Sequence, residues 1–378
     1  MRGDVPAVAD IDLSAVRHNV GRLRQMAGVE VMAVVKADAY GHGAIAVSRA
    51  AREAGASWLG VAFCSEALEL RHAGDDGRML AWIVGTADPA LGECIRGEVD
   101  VSASSVEHLR TISEAAVGVG VRARVHLKVD TGLGRAGAPP TAWPALVSAA
   151  LDDPAVDVVG LWSHLACADD PTAASTAAQV TAFSAAVSIA EESGATNCIR
   201  HLANSGAALS TPSSRFDLVR CGIGIYGLAP GPAHGSPAAL DLRPAMTVRT
   251  SVVQVKRVPA GHGASYGLTW RAPRETSLAL VPLGYADGLP RASRSALVDI
   301  GGERFPIVGR IAMDQVIVDI GDADIAPGAP VVVFGPGTLG EPTADDWAMW
   351  ADTINYEIVT RIGPRVRRRY HDTGAPER

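Results

Sequence analysis

Lysine is nearly missing from this chain. Of 34 basic residues only Lys36, Lys128 and Lys256 are lysines, and arginine carries the routine surface charge. A lysine here is therefore informative, because arginine supplies no free amine at workable pH. Excess positive charge is missing as well. The 34 basic against 41 acidic residues leave a net charge of −7, which argues against a general nucleic-acid binder. No apolar run approaches the roughly 18 residues of a membrane span. The N-terminus, with Asp4, Asp10 and Asp12, lacks the apolar stretch of a secretory signal. Cys64, Cys94, Cys167, Cys198 and Cys221 are odd in number and widely spaced. They form no CxxC pair and no metal cluster, so no metal is expected and a reduced cytoplasm is the natural location. The 40 Gly and 23 Pro follow no fixed period, which excludes a fibrous chain.

What is present is enough apolar material, 48% of 378 residues, to fill the cores of two or three domains. Short runs rich in Val, Ile and Leu recur near 30–36, 58–63, 79–84, 99–103, 122–130, 156–165, 198–204 and 217–223. Several, such as WLGVAF and MLAWIV, are continuous rather than alternating, as expected of strands covered on both faces. Helical spacing is clearest over 173–192, where Val180, Phe183, Val187 and Ala190 recur at intervals of three and four. Eight strand–helix repeats in about 200 residues predict an α/β fold, a TIM-like (β/α)8 barrel over 11–240. An open doubly wound sheet is the alternative, but no GxGxxG turn follows the first strand. The Pro- and Gly-dense stretch 228–240 reads as a linker. Beyond it, runs at 247–258, 277–283, 296–300, 305–310, 315–320 and 330–335 predict a mainly-β domain over 241–378, with Gly301-Gly302 as a hairpin turn. The basic run RVRRR (365–369) reads as a solvated strand end.

Lys36 closes the first barrel run, in AVVKADAYGHG (33–43). An isolated strand-end lysine is ordinarily solvated. This one follows an apolar run, sits at the strand end where such barrels place their chemistry, and precedes a tight loop with Gly41 and Gly43. A desolvated lysine amine can form a Schiff base with an aldehyde cofactor.

AVVKADAYGHG, together with HLKVDTGLGRAG (126–137), WSHLA (162–166), HLANS (201–205), DLVRCGIGIYGL (217–228), SYG (265–267), PLGYADG (282–288), GRIAMDQ (309–315) and INYEI (354–358), resembles the alanine racemase family in order and over nearly the whole length. The resemblance implies an isomerase that uses pyridoxal 5'-phosphate to interconvert L- and D-alanine and supply D-alanine for a bacterial cell wall. It also implies that the opening strand, within residues 1–10 and VADIDL (8–13), joins the β domain.

Racemisation takes a Cα proton from one face and returns it on the other, so it needs two proton carriers. By resemblance these are Lys36, which also holds the cofactor, and Tyr266. A phenol is a weak base at neutral pH unless nearby positive charge lowers its pKa, and His164 and Arg220 match that polar network. The family's arginine at the position of Arg220 faces the pyridine nitrogen; being donor-only, it keeps that nitrogen an acceptor. Ser205 and the amides of Gly222 and Ile223 match phosphate donors at the place where barrels bind phosphate, with Asn204 beside them. Tyr40 and Tyr356 match phosphate-contacting tyrosines. Arg135 matches the arginine near the cofactor's phenolic oxygen and the substrate carboxylate, and Lys128 matches a lysine that many relatives carboxylate. Met313 and Asp314 match the segment that meets the substrate carboxylate, and Tyr285 and Tyr356 match entrance residues. In the family the Tyr266 and Met313 contacts come from the second subunit, so a homodimer with shared sites is expected. Leu133, Ala136 and Ala312 depart from residues frequent in the family.

Three alternatives stand beside this. A related decarboxylase would carry a cysteine in the β domain, and none follows Cys221. A noncatalytic cofactor carrier would lack the β domain. A racemase for serine or a larger amino acid stays open.

Overall fold

The computed structural model describes residues 7–372. The chain forms two compact units. Among the described residues, the first comprises residues 16–39 and 44–242; the second comprises residues 7–15, Tyr40–Gly43 and residues 243–372. Of the N-terminal residues expected to join the β domain, 1–6 lie outside the described residues.

The second unit begins with β1 (Ala7–Asp12). The first unit then runs through eight parallel strands: β2 (Glu30–Val34), β3 (Trp58–Phe63), β4 (Arg78–Ile83), β5 (Asp100–Ala103), β6 (Ala123–Lys128), β7 (Val156–Trp162), β8 (Ile199–His201) and β9 (Leu218–Cys221). Their order is β8-β7-β6-β5-β4-β3-β2-β9. The ring is completed by a parallel bridge between Asn204 and Arg220, just beyond β8. This is the barrel that the repeating apolar runs predicted. Strands such as β2, β5 and β9 are buried almost throughout because helices cover one face and the barrel interior the other. The helix predicted over 173–192 spans Ala174–Glu192.

The second unit adds β10 (Met246–Ser251), β11 (Gln254–Val258), β12 (Gly263–Ala264), β13 (Trp270–Arg271), β14 (Thr276–Val281), β15 (Leu297–Ile300), β16 (Glu303–Val308), β17 (Val316–Gly321), β18 (Pro330–Phe334) and β19 (Arg367–His371). Nine strands form one sheet, in the order β11-β14-β17-β16-β15-β18-β10-β1-β19. β1 pairs antiparallel with β10 and parallel with β19. Gly301 and Gly302, at φ +68° and +92°, turn the β15–β16 hairpin in the region glycine tolerates.

The sequence suggested one run over 247–258, but β10 and β11 are separate. The chain changes partners at Val252 and Val253, whose amides donate to Ala329 and to Leu280. The RVRRR segment is also not simply solvated. Arg368 donates to the carbonyls of Gly41, Ile362, Gly363 and Val366, and Arg369 pairs at 2.6 Å with the buried carboxylate of Asp10.

Candidate active site

Lys36 follows β2 and opens a turn, Lys36–Gly41, of unusual hand. Ala37, Asp38, Ala39 and Tyr40 have φ of 53°, 52°, 53° and 52°, and Gly41 follows at 79°. Left-handed backbone costs about 1–2 kcal/mol per residue with a side chain, so four in succession cost several kcal/mol. Alanine favours the opposite hand, so tertiary contacts must impose this turn. Glu66 supplies the main one. Its Oε1 accepts from the Ala37 amide at 2.6 Å, while Oε2 accepts from the amides of Ala62 and Phe63 at 2.8 and 3.1 Å. Asp38 Oδ1 accepts from the Ala44 amide at 2.7 Å, and Ala39 donates to the Val35 carbonyl at 2.8 Å. Burial, then the Arg135 cation, push the Lys36 amine below the ordinary lysine range, with Glu66 opposing. The amine is thereby drawn toward the neutral, nucleophilic form.

Arg220 projects from β9 into the barrel and is 4% exposed. Burial lowers its pKa to about 9, so it remains a cation at neutral pH. Its NH1 donates to Nδ1 and the carbonyl of His201 at 3.0 and 2.9 Å. Its NH2 donates to the carbonyls of Ser163 and Leu202 at 2.8 and 3.0 Å and to His164 Nδ1 at 3.0 Å. The Nε–H has no acceptor among the described residues. Desolvation, then the Arg220 charge, hold His164 and His201 well below the usual imidazole range. Both rings accept at Nδ1, so both carry their proton on Nε2.

The Trp162 ring lies under two cations, Lys128 Nζ at 4.3 Å and the Arg220 guanidinium carbon at 4.9 Å from its centroid. Burial, then Arg220 and Arg135, push Lys128 down to about 8, although Asp130 pulls the other way. Arg135 itself is exposed, on a loop whose Asp130 Oδ1 accepts from the amides of Gly132 and Gly134 at 3.0 and 3.2 Å.

Near the ends of β8 and β9, Ser205 Oγ accepts from the amides of Gly222 and Gly224 at 2.9 and 3.3 Å. Its own hydroxyl proton is therefore available to donate. The Gly222 amide is engaged by that serine, whereas the Ile223 amide has no acceptor among the described residues. Asn204 caps the helix Ser205–Ser210, with Oδ1 accepting from the Ala207 amide at 3.2 Å, which is an ordinary capping role.

The remaining predicted residues belong to the second unit. Tyr40 and Tyr356 lie with ring centroids 6.1 Å apart. Burial raises the Tyr40 phenol to about 12, so it stays a neutral donor. A Cβ on Gly43 would fall 1.8 Å from the Tyr370 hydroxyl, so a larger residue there would displace that ring. The Tyr285 and Ala286 amides donate to the carbonyls of Ala312 and Met313 at 3.0 and 2.9 Å, which brings the Tyr285 and Met313 segments together. Asp314 pairs with Arg365 at 2.8 Å. Tyr266 is 69% exposed, on a turn fixed by Ser265 Oγ donating to the Arg310 carbonyl at 2.5 Å.

Three contributors to the barrel site were not legible in the sequence. Glu66 left only a carboxylate three residues after a strand end. His126 and His201 left only polar residues inside otherwise apolar strand runs.

Two family models match: "Alanine racemase, N-terminal domain" over residues 11–230 and "Alanine racemase, C-terminal domain" over 245–370. The chain is 51% identical over 372 residues to an alanine racemase of Frankia casuarinae, covering 97% of each chain. It is 52% identical over 383 residues to one of Streptomyces coelicolor, covering 98% of each. The crystal structure of alanine racemase from D-cycloserine-producing Streptomyces lavendulae superposes with a TM-score of 0.96 at 50% identity, covering 98% of both chains.

Proposed function

The chain belongs to the alanine racemase family, and from that premise we propose that it binds pyridoxal phosphate through Lys36 and racemises alanine with two bases, Lys36 and Tyr266. The observation that carries this is the barrel donor set: a desolvated amine at Lys36, a guanidinium whose Nε–H is unengaged, and a Ser205 hydroxyl and Ile223 amide able to donate. Such a set fits an aldehyde, a pyridine nitrogen and a phosphate. Tyr40, whose phenol burial keeps neutral, and Tyr356 add hydroxyls for the phosphate, while Asn204 and the Gly222 amide hold Ser205 and its helix in place.

When bound, the cofactor spreads the negative charge left on Cα as its proton departs. Lys36 Nζ takes or returns that proton on one face, and the Tyr266 hydroxyl of a second copy does so on the other. His164 presents its Nε2–H as a donor to that phenol. Arg135 and the Met313 backbone orient the substrate carboxylate. Asp314, tied to Arg365, steadies the Met313 segment, and Tyr285 narrows the entrance. Homodimerisation is supported by the exposed side chains of Tyr266, Leu268, Met313 and Ile354, 50–69% accessible in the single chain. The proposed enzyme works in the cytoplasm, and its D-alanine supplies cell-wall synthesis.

Lys128 is proposed to carry a carboxyl group. Its amine, lowered to about 8, has a lone pair available to attack carbon dioxide; the amine loses a proton and gains a carboxylate. The resulting anion would orient the Arg135 guanidinium, one of the cations that act on Lys128. Incubation with 13C-bicarbonate should produce a carbamate carbon resonance that disappears in Lys128→Met. An identical spectrum for both proteins refutes the modification.

The proposed function is tested by a chirality assay on alanine, serine and lysine with added cofactor. Alanine should be interconverted fastest. Serine as the preferred substrate would replace the specificity assignment, and carbon dioxide release without racemisation would overturn the reaction class.

A further inference from the structure

Arg220 is a buried cation that no carboxylate touches among the described residues. A buried charge of this kind is costly without a counterion. A line of hydrogen bonds supplies one from a distance. Arg220 NH1 donates to His201 Nδ1 at 3.0 Å, His201 Nε2 lies 2.8 Å from His126 Nδ1, and His126 Nε2 lies 3.0 Å from Asp100 Oδ2. Asp100, His126 and His201 are each 0% exposed. At the far end Arg124, 30% exposed, donates Nε to Asp100 Oδ1 at 2.7 Å.

The direction of every proton follows by elimination. Guanidinium only donates, so His201 Nδ1 must accept and His201 must carry its proton on Nε2. That proton points at His126 Nδ1, so His126 must accept there and hold its own proton on Nε2, aimed at the carboxylate. Both rings are therefore single tautomers, each with one proton, and the line runs one way from Arg220 to Asp100. Hydrogen bonds in such a row polarise one another in a low-dielectric interior. The carboxylate's charge is thus felt at Arg220 through two neutral rings.

The barrel is shaped around these rings. A Cβ on Gly160 would fall 2.2 Å from His126 Nδ1, and the β6–β7 register shifts between Val125 and His126. His126 meets the edge of Trp58 at 5.4 Å, and His201 stacks on Trp162 at 5.6 Å with 9° between the planes. Neither ring is free to flip.

We propose that Asp100 is a positioning residue for the reaction: through His126 and His201 it provides the remote counter-charge for Arg220 and fixes the guanidinium that presents Nε–H to the cofactor. This rests on the reading that Arg220 faces the pyridine nitrogen. Since the line ends on Arg220 and does not reach Arg135 or Met313, loss of Asp100 should act on turnover and leave alanine binding nearly unchanged.

The test uses the cofactor-loaded enzyme with 15N-labelled histidine. Two-bond 1H–15N spectra should assign His126 and His201 to the Nε2–H tautomer. Arg124→Met, altered only at the partly exposed end, should shift the His201 nitrogen signals although Arg124 does not touch that ring. Asp100→Asn should lower kcat at least tenfold while KM for alanine stays within twofold. A Nδ1–H tautomer at either ring overturns the proposal, as does an unmoved His201 signal in Arg124→Met or a wild-type kcat in Asp100→Asn. A change in melting temperature or KM alone would mark a merely structural role and overturn it too. If Asp100→Asn does not fold, the Arg124→Met spectra decide. Failure of the cofactor reading looks different: both tautomers as stated, with no pyridoxal phosphate retained.

Discussion

Lys36→Ala should yield a folded, colourless protein that retains no covalent cofactor and racemises alanine at least ~10³-fold more slowly than the parent, since under the proposed mechanism both the attachment point and one proton carrier are lost. The absorbance of protein-bound pyridoxal phosphate is the direct measurement. Few other residues could mask the result. The chain has only two other lysines: Lys128 is buried over Trp162, and Lys256 lies exposed on β11. If the visible band persists in Lys36→Ala, the attachment lies at one of those two. The fold should survive, because the Glu66 carboxylate bonded to the Ala37 amide and the Asp38 carboxylate bonded to the Ala44 amide still hold the strained turn.

Tyr266→Phe has the second large effect. The protein should keep its cofactor colour, because the residues proposed to hold the cofactor, Lys36, Ser205 and Arg220, all belong to the other unit. Racemisation should fall by ~10²–10⁴-fold, the usual worth of a positioned acid or base. The informative readout is asymmetry. In deuterated water the remaining base should exchange the Cα hydrogen of one alanine enantiomer and largely spare the other. Equal loss of exchange for both enantiomers, with a disturbed cofactor spectrum, would mean that the phenol supports the site instead of handling a proton.

The sequence announced the barrel because parallel strands covered on both faces are written as unbroken apolar runs. WLGVAF and DLVRCGI correspond to β3 and β9 with little displacement. The boundary inside 247–258 was not legible, since the Val252-Val253 pair carries strand character straight through the point where the chain changes neighbours. The site divided in a similar way. Lys36 stood out because lysine is rare here, and Tyr266 stood out only through the family motif. Glu66 could not be found from periodicity, because its role is to accept three backbone protons from segments brought together by folding. Asp100, His126 and His201 were hidden for a related reason. A polar residue inside a strand run looks like an interruption until its partners on neighbouring strands are known.

The left-handed turn after Lys36 also bears on how the chemistry could be moved elsewhere. Copying residues 33–43 into an unrelated barrel would carry over the amine but not its aim. Released from Glu66 and from the amides gathered at the end of β3, two alanines and an aspartate would relax to the opposite hand and swing the lysine off its target. The transplantable unit is the pair of adjacent strand ends together with the acid that ties them.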